Sequence, residues 1–115
     1  MEFDQVTVVL LVRSARAAGL SEAEAESSQD AHMTHLAELH ASGHLLAAGP
    51  LLDEDGHHRG LMLLRTDVAT ARELMADDPA VVAGRFDVLA MPWMVPAGAM
   101  AFSPTHFPRS MGEVR

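Results

Sequence analysis

Apolar segments divide the chain into four predicted strands. The first of these, Q-V-T-V-V-L-L-V-R, is dominated by valine and leucine, and β-branched residues favour a pleated, half-buried setting. In the last, Phe86, Val88 and Ala90 alternate with Asp87, Leu89 and Met91, and Pro92 indicates an edge strand or a bulge because proline cannot donate a ladder hydrogen bond. The predicted strands are Gln5–Arg13, His44–Pro50, Gly60–Arg65 and Arg85–Met94.

Between the first two strands the polar pattern changes to that of a helix. Ser21 followed by Glu24 forms a capping box, which marks a helix start. The pair Ser27-Ser28 leaves two readings open: one long helix, or a short one leading into a second helix from Asp30 to Ser42. Spacings of four, three and four then place one set of residues on a single helix face. That set is His32, Leu36, Leu39 and the terminating Gly43.

A second helix is predicted after the third strand. Asp67 is its cap, and the helix extends from Val68 to Ala76. We expect Pro79 to end it, because a proline disfavours helical geometry at the preceding residue. The buried stripe of this helix comprises Val68, Ala71, Leu74 and Met75.

The element order β-α-β-β-α-β predicts an α+β fold of the ferredoxin-like type, with both helices on one face of the sheet. Runs such as L-L-A-A and L-M-L-L leave the strands apolar on both sides, which calls for a second layer. We therefore predict a homodimer in which the two sheets pack face to face. Assembly of such dimers into a higher oligomer is left open. The alternative is a monomer whose tail covers the sheet. The predicted domain spans residues 1–94, and residues 95–115 form a proline-containing C-terminal extension that packs on the domain or on a partner subunit.

Composition narrows the function classes. The 115 residues suit one domain, and the absence of cysteine excludes disulfides, thiolate metal sites and a cysteine nucleophile. A net charge of −8 disfavours nucleic acid as a partner. No apolar run approaches the roughly 20 residues of a membrane helix, and the acidic start lacks the basic residues of a signal peptide. We therefore expect a cytoplasmic protein with no membrane association.

Two side chains are the main candidates for chemistry. His32 lies on the helix face that should point at the sheet, where it is either a hydrogen-bonded core group or a pocket group. Asp78 precedes Pro79, a position where an aspartate side chain commonly accepts a hydrogen bond from the backbone of its own turn. The neighbouring Asp77 should face solvent. In this fold the two helices lie side by side, so Asp78 could reach His32 and fix its tautomer. Proton transfer is then more plausible than covalent catalysis.

Other clusters carry weaker signals. The remaining histidines show no metal-site signature, and no metal or other cofactor is expected. Trp93 and the nearby Met91, Met94 and Met100 could line a pocket for an apolar or aromatic ligand, or simply pack in the core or an interface. We assign Gly49, Pro50 and Trp93 to the predicted substrate pocket.

Two separated motifs resemble the YciI-like (YCII-related) family. The run A-H-M-T-H-L-A-E-L-H-A-S-G-H-L-L-A-A-G-P, residues 31–50, is similar to the helix-then-strand motif of that family. The run A-D-D-P-A-V-V-A-G-R-F, residues 76–86, is similar to its D-P-x-x-x-A-G segment. The resemblance covers roughly residues 5–94 and implies a dimeric α+β barrel. It also implies an active-site His–Asp dyad, here His32 and Asp78.

The chain departs from the family pattern at three places. Met33 replaces a leucine, Gln29 stands where the family often has arginine, and the extension has no counterpart. Related members are associated with dehydrochlorination or isomerisation of hydroxylated aromatic compounds, although a shared fold does not transfer a reaction. We expect a cofactor-independent lyase or isomerase acting on a small cyclic or aromatic metabolite. The alternative is a non-catalytic ligand-binding or accessory protein.

Overall fold

In a computed structural model, which describes residues 1–114, the chain forms four strands and four α-helices. A 3₁₀ helix, Ala15–Gly19, joins the first strand to the first α-helix. The elements are β1 Phe3–Arg13, α1 Glu22–Ala41, β2 Leu45–Pro50, β3 His58–Leu64, α2 Val68–Ala76, α3 Pro79–Val82, β4 Phe86–Pro96 and α4 Met111–Val114.

The four strands form one antiparallel sheet in the order β2-β3-β1-β4. This order, with helices between the strands, is compatible with the ferredoxin-like arrangement and confirms the predicted α+β class. β4 is an edge strand, which agrees with the edge predicted from Pro92. Alternate residues of the strands point at the helices, and they form the core with residues from three helices. This core is Val9, Leu11, Leu39, Leu45, Met62, Leu64, Ala71, Met75, Ala80 and Phe86.

The opposite face of the sheet is also apolar, but it is solvent-exposed. Cross-strand partners share a face, so the register places Leu89 beside Leu10 and Met91 beside Val8. Trp93 is 45% exposed and Leu89 48% exposed. We call this surface the open sheet face, and it comprises Val8, Leu10, Leu61, Leu63, Leu89, Met91 and Trp93.

Helix α1 is continuous, which decides between the two readings of its N-terminal half. Ser21 and Glu24 form both bonds of the capping box, as predicted. Ser28 does not interrupt the helix, because its buried hydroxyl donates back to the carbonyl of Ala25. Gly43, with φ of +86°, follows the helix end in the left-handed conformation that glycine adopts readily. Within residues 1–114 no helix combines the length and apolarity required to cross a membrane.

The prediction for Pro79 was wrong in its detail. Helix α2 ends at Ala76, with Asp77 as its cap, so it has already ended before the proline. Pro79 instead begins the short helix α3, whose N-cap is Asp78. A proline suits the first helical turn because the N–H it lacks would have no intrahelical partner there.

The segment after β4 returns to α1. Thr34 donates to the carbonyl of Arg109, and Asp30 accepts from the N–H of Met111. The ring of Phe107 stacks on His40, with centroids 4.1 Å apart, and packs against the core. β4 itself extends two residues beyond position 94, so the division of the chain into 1–94 and 95–115 stays a prediction.

We expect Phe107→Ala to lower the free energy of unfolding by about 2 kcal/mol, because it removes a partly buried ring and its stacking partner. Urea denaturation monitored by circular dichroism measures the change. Phe102→Ala is the matched control, since Phe102 lies in the same segment and is 42% exposed. Equal losses in the two variants would contradict a specific role for Phe107.

Candidate active site

A buried contact between His32 and Asp78 lies at the centre of the candidate site. Nδ1 of His32 is 2.6 Å from Oδ2 of Asp78. Asp78 is fully buried, and the His32 side chain is 10% exposed. The structure therefore brings together the two residues that the sequence nominated.

Two helix-forming segments position this pair. His32 lies midway along α1, on the face that packs against the sheet and α3. Asp78 is held at the start of α3, where its Oδ1 accepts from the N–H of Ala80 at 2.8 Å. The turn-forming and functional readings of Asp78 are thus compatible, since one carboxylate oxygen caps the helix and the other meets the imidazole.

The partners of Asp78 assign the histidine tautomer. An ionised carboxylate only accepts hydrogen bonds, so Nδ1 of His32 must carry the proton that it donates to Oδ2. In a neutral imidazole the proton-accepting lone pair is then on Nε2. Nε2 has no hydrogen-bond partner among residues 1–114, and it is not among their fully enclosed polar atoms. This nitrogen can therefore exchange protons with a molecule that approaches it.

Phe86 and Arg85 form the surroundings of the imidazole. The Phe86 ring meets His32 edge-on, with centroids 5.7 Å apart. The guanidinium of Arg85 lies over the Phe86 ring, 4.5 Å from its centroid. An aromatic ring and a cation are thus adjacent to the histidine.

Arg85 also contacts α1 one turn before His32. Its Nη1 donates to Oε1 of Gln29 at 3.0 Å and to Oγ of Ser28 at 3.2 Å. Gln29 stands where the family often has arginine, and here a guanidinium from another part of the chain, that of Arg85, contacts this position. Burial, and secondarily the nearby Arg59, lower the pKa of Arg85 below its ordinary value, while the charge of Asp78 acts in the opposite direction.

Comparison with known proteins identifies the family. A family model for the YCII-related domain matches residues 7–94, which is more than half of the chain. The chain belongs to the YCII-related domain family. No curated protein sequence matches it.

One similar solved structure is that of 5-chloro-2-hydroxyhydroquinone dehydrochlorinase (TftG) from Burkholderia phenoliruptrix AC1100, in complex with 2,5-dihydroxybenzoquinone. It is 16% identical, with a TM-score of 0.49, and the alignment covers 76% of this chain and 92% of that chain. A likeness at this level does not transfer a ligand or a reaction.

In this YCII-related chain the three residues assigned to a substrate pocket lie apart from the dyad. Trp93 is on the open sheet face, whereas Phe86, which touches His32, points to the helices. Gly49 and Pro50 are exposed at the end of the edge strand β2. One chain therefore does not bring them together with His32, and their role in a pocket stays a prediction.

Several of the other histidines have structural partners. His35 donates from Nε2 to the carbonyl of Leu74, which links α1 to α2. At the start of β3, Nδ1 of His58 is 2.8 Å from Oδ2 of Asp53 in the preceding loop. Hydrogen bonds from the backbone and then the side chain of His58 lower the pKa of Asp53. Across residues 1–114, no three histidine or acidic side chains are grouped so that they could hold a metal ion.

The sequence interpretation missed the neighbours of the dyad. Asp78-Pro79 is itself a helix-start signature, with a capping aspartate before a proline at the first helical position, so α3 could have been recognised. Arg85 and Phe86 carry no local signal that links them to His32. They are 53 and 54 positions away along the chain, and only the tertiary fold brings the start of β4 to the side chains of α1.

We expect Asp78→Ala to lower the free energy of unfolding by about 3 kcal/mol, since it removes a helix cap and leaves the Nδ1–H of His32 buried without an acceptor. Asp78→Asn should cost about 1 kcal/mol because the amide oxygen can still cap α3. Denaturant unfolding of the three proteins measures both values. Losses below about 1 kcal/mol for the alanine variant would show that the contact contributes little to stability.

Proposed function

We propose that this protein is a small-molecule enzyme in which His32 transfers a proton and Asp78 orients it. The observation that carries the proposal is the 2.6 Å contact, which leaves Nε2 as the basic nitrogen of a mostly buried imidazole. Asp78 holds the tautomer and stabilises the imidazolium that forms after proton uptake. Membership of the YCII-related family supports the proposal, since the dyad falls within the matched residues.

The reaction class is a cofactor-independent lyase or isomerase step. Nε2 takes a proton from a carbon or hydroxyl of a small cyclic or aromatic substrate, and the electron pair of that bond moves into the ring. In an isomerase the same proton is returned to another atom, whereas in a lyase the electron pair expels a leaving group such as chloride. Either sequence leaves the substrate without a covalent link to the protein.

The surroundings of the dyad favour this class over covalent catalysis. Ser28 is the serine nearest along the helix, one turn before His32. Its hydroxyl donates to the carbonyl of Ala25 and accepts from Arg85, so its proton is directed away from the histidine. A serine nucleophile requires the opposite arrangement, with its hydroxyl donating to the imidazole.

We also propose that the functional unit is a homodimer joined through the open sheet face. This surface is a continuous apolar patch on three neighbouring strands, and a sheet that is apolar on both sides needs a second layer. A second copy supplies an identical apolar layer by two-fold symmetry. Joining the two sheets in this way gives the dimeric α+β barrel.

We expect His32→Gln to lower turnover at least 100-fold, because glutamine cannot accept and return a proton at neutral pH. Asp78→Asn should cause a loss of similar size, since its amide N–H would face Nδ1 and move the imidazole proton to Nε2. Proton NMR in deuterium oxide measures deuterium uptake by a panel of hydroxylated cyclic ketones, and a chloride-selective electrode measures chloride release from chlorinated hydroquinones.

His35→Gln is the control for this experiment. It changes a histidine on the same helix, and glutamine can still donate to the carbonyl of Leu74, so turnover should remain near that of the parent protein. A His32→Gln variant that retains full turnover would rule out the proton-transfer role. If the panel binds without any turnover and His32→Gln leaves the affinity unchanged, a ligand-binding function replaces the enzymatic one.

We expect Leu89→Asp to convert the protein from dimer to monomer, because a charge within the open sheet face would be buried in the dimer without a partner. Sedimentation equilibrium at micromolar concentration measures the change in mass. Leu52→Asp introduces the same charge at a loop position that is 95% exposed, and it should leave the dimer intact. A parent protein that sediments as a monomer would overturn the dimer.

A further inference from the structure

A second feature of the molecule lies beside the dyad: a cavity of about 560 Å³ at one end of the sheet. Its polar wall contains three arginines, one each from the end of β1, the start of β3 and the residue before β4. Its apolar wall contains the Phe86 ring and small side chains of the 3₁₀ helix and α1. The charged and aromatic residues that line the cavity are Arg13, Arg59, Arg85, Glu22 and Phe86.

The concentration of positive charge here is unusual for this chain. The protein has a net charge of −8, and all eight of its basic residues are arginine. Three of them line this one cavity, and the side chain of a fourth, Arg16, packs against the backbone at Gly84, next to Arg85. The antiparallel sheet places the end of β1 beside the starts of β3 and β4, so the topology brings these distant positions together.

The cavity arginines are close neighbours. Nitrogens of Arg59 and Arg13 lie 3.4 and 3.7 Å from the same point, the place that a Cβ on Gly56 would occupy. Arg59 is also near enough to Arg85 for its charge to lower the pKa of that group. Like charges at such separations repel, and Arg85 is in addition partly withdrawn from water.

Among residues 1–114 no carboxylate forms a close ion pair with these three arginines, although the charge of Asp78 acts on Arg85. Within residues 1–114, the one arginine that has a carboxylate oxygen within 4.0 Å is Arg109, which pairs with Glu38 on another part of the surface. Glu22 does line the cavity, but it makes no ion pair with the three arginines at this distance. Arg85 already uses Nη1 to bind Gln29 and Ser28, whereas the guanidinium donors of Arg13 and Arg59 have no acceptor among residues 1–114 and are available for one from outside the chain.

We propose that the cavity binds a small organic anion, a cyclic or aromatic carboxylate whose charged group sits among Arg13, Arg59 and Arg85 and whose ring rests against Phe86. Guanidinium forks match a planar carboxylate, and an aromatic floor with alanine walls suits a ring rather than an inorganic ion. Phe86 lines the cavity and also touches His32, so the Phe86 ring joins the proposed anion site to the imidazole. Assigning this anion as the substrate rests on the proposed function.

Isothermal titration calorimetry with benzoate as the probe tests the proposal, with neutral benzamide and inorganic phosphate as comparison ligands. We expect benzoate to bind with millimolar or better affinity and both comparison ligands to bind at least tenfold more weakly. Arg59→Gln should weaken benzoate binding roughly tenfold, because it removes one charge-assisted fork at an exposed position.

Arg65→Gln is the matched control. Arg65 is also exposed, and its substitution by glutamine changes the net charge by the same amount as Arg59→Gln. It follows the last residue of β3, however, about 20 Å from Arg59 along the strand. Benzoate affinity should therefore be unchanged in this variant. Equal weakening in the two variants would mean that only overall charge matters, and the site would be rejected.

Two further results would overturn the proposal: no heat of binding at 50 mM benzoate, as a rough upper limit for a specific site, or equal affinity for benzoate and phosphate. His32→Gln separates this inference from the proposed function. The variant should keep its benzoate affinity while losing proton transfer, because His32 does not contribute to the anion contact. If turnover is intact but no anion binding depends on the arginines, the cavity proposal alone is rejected. If the anion binds but no turnover is found, the proton-transfer proposal alone is rejected.

Discussion

A carboxylate that is fully withdrawn from water is stable only when its charge is matched by hydrogen bonds, and Asp78 is such a group. One of its oxygens accepts from the backbone at the start of α3, and the other accepts from His32 on α1. Because both donors are needed, the carboxylate fixes the approach of α3 to α1. It also fixes the imidazole orientation, so one buried group both joins the helices and holds His32 in the position that the proposed function requires.

The neighbours of the dyad extend this arrangement toward a substrate. Arg85 binds α1 one turn before His32 and covers the ring of Phe86, and Phe86 in turn touches the imidazole. The backbone turn at Gly84, with φ of +84°, directs the chain from α3 into β4 and so places these two side chains beneath α1. A cation, an aromatic ring and an imidazole are thus linked by successive contacts. This order agrees with the substrate proposed above, an organic anion that gives up a proton.

The sheet provides the second constraint. Its helix-facing side is buried by three helices, but the open sheet face keeps leucine, methionine and tryptophan side chains in water. Exposing this much contiguous apolar surface is unfavourable, and covering it with a second copy removes the cost for both subunits at once. The contacts of Phe107 and Met111 in the C-terminal segment are with α1, on the helix side of the sheet, so these residues do not cover the open sheet face.

The sequence by itself determined the local structure. β-Branched runs, the Ser21–Glu24 capping box and the Asp67 cap predicted the strands and helices to within a few residues, since these signals act between neighbours in the chain. The helical spacing placed His32 on the inward face, and the family motifs paired it with Asp78. The short helix α3 was missed because Pro79 was taken only as a helix end.

Only the tertiary structure decided what surrounds the dyad. The contact of Arg85 with Gln29, the position of Phe86 against His32 and the gathering of Arg13 and Arg59 all join residues far apart in the chain. It also separated Trp93 from the dyad, since residues an odd number apart on a strand point to opposite faces. Charge and hydrophobicity along the chain do not encode these distances, because they arise from how strand ends meet and how helices cross the sheet.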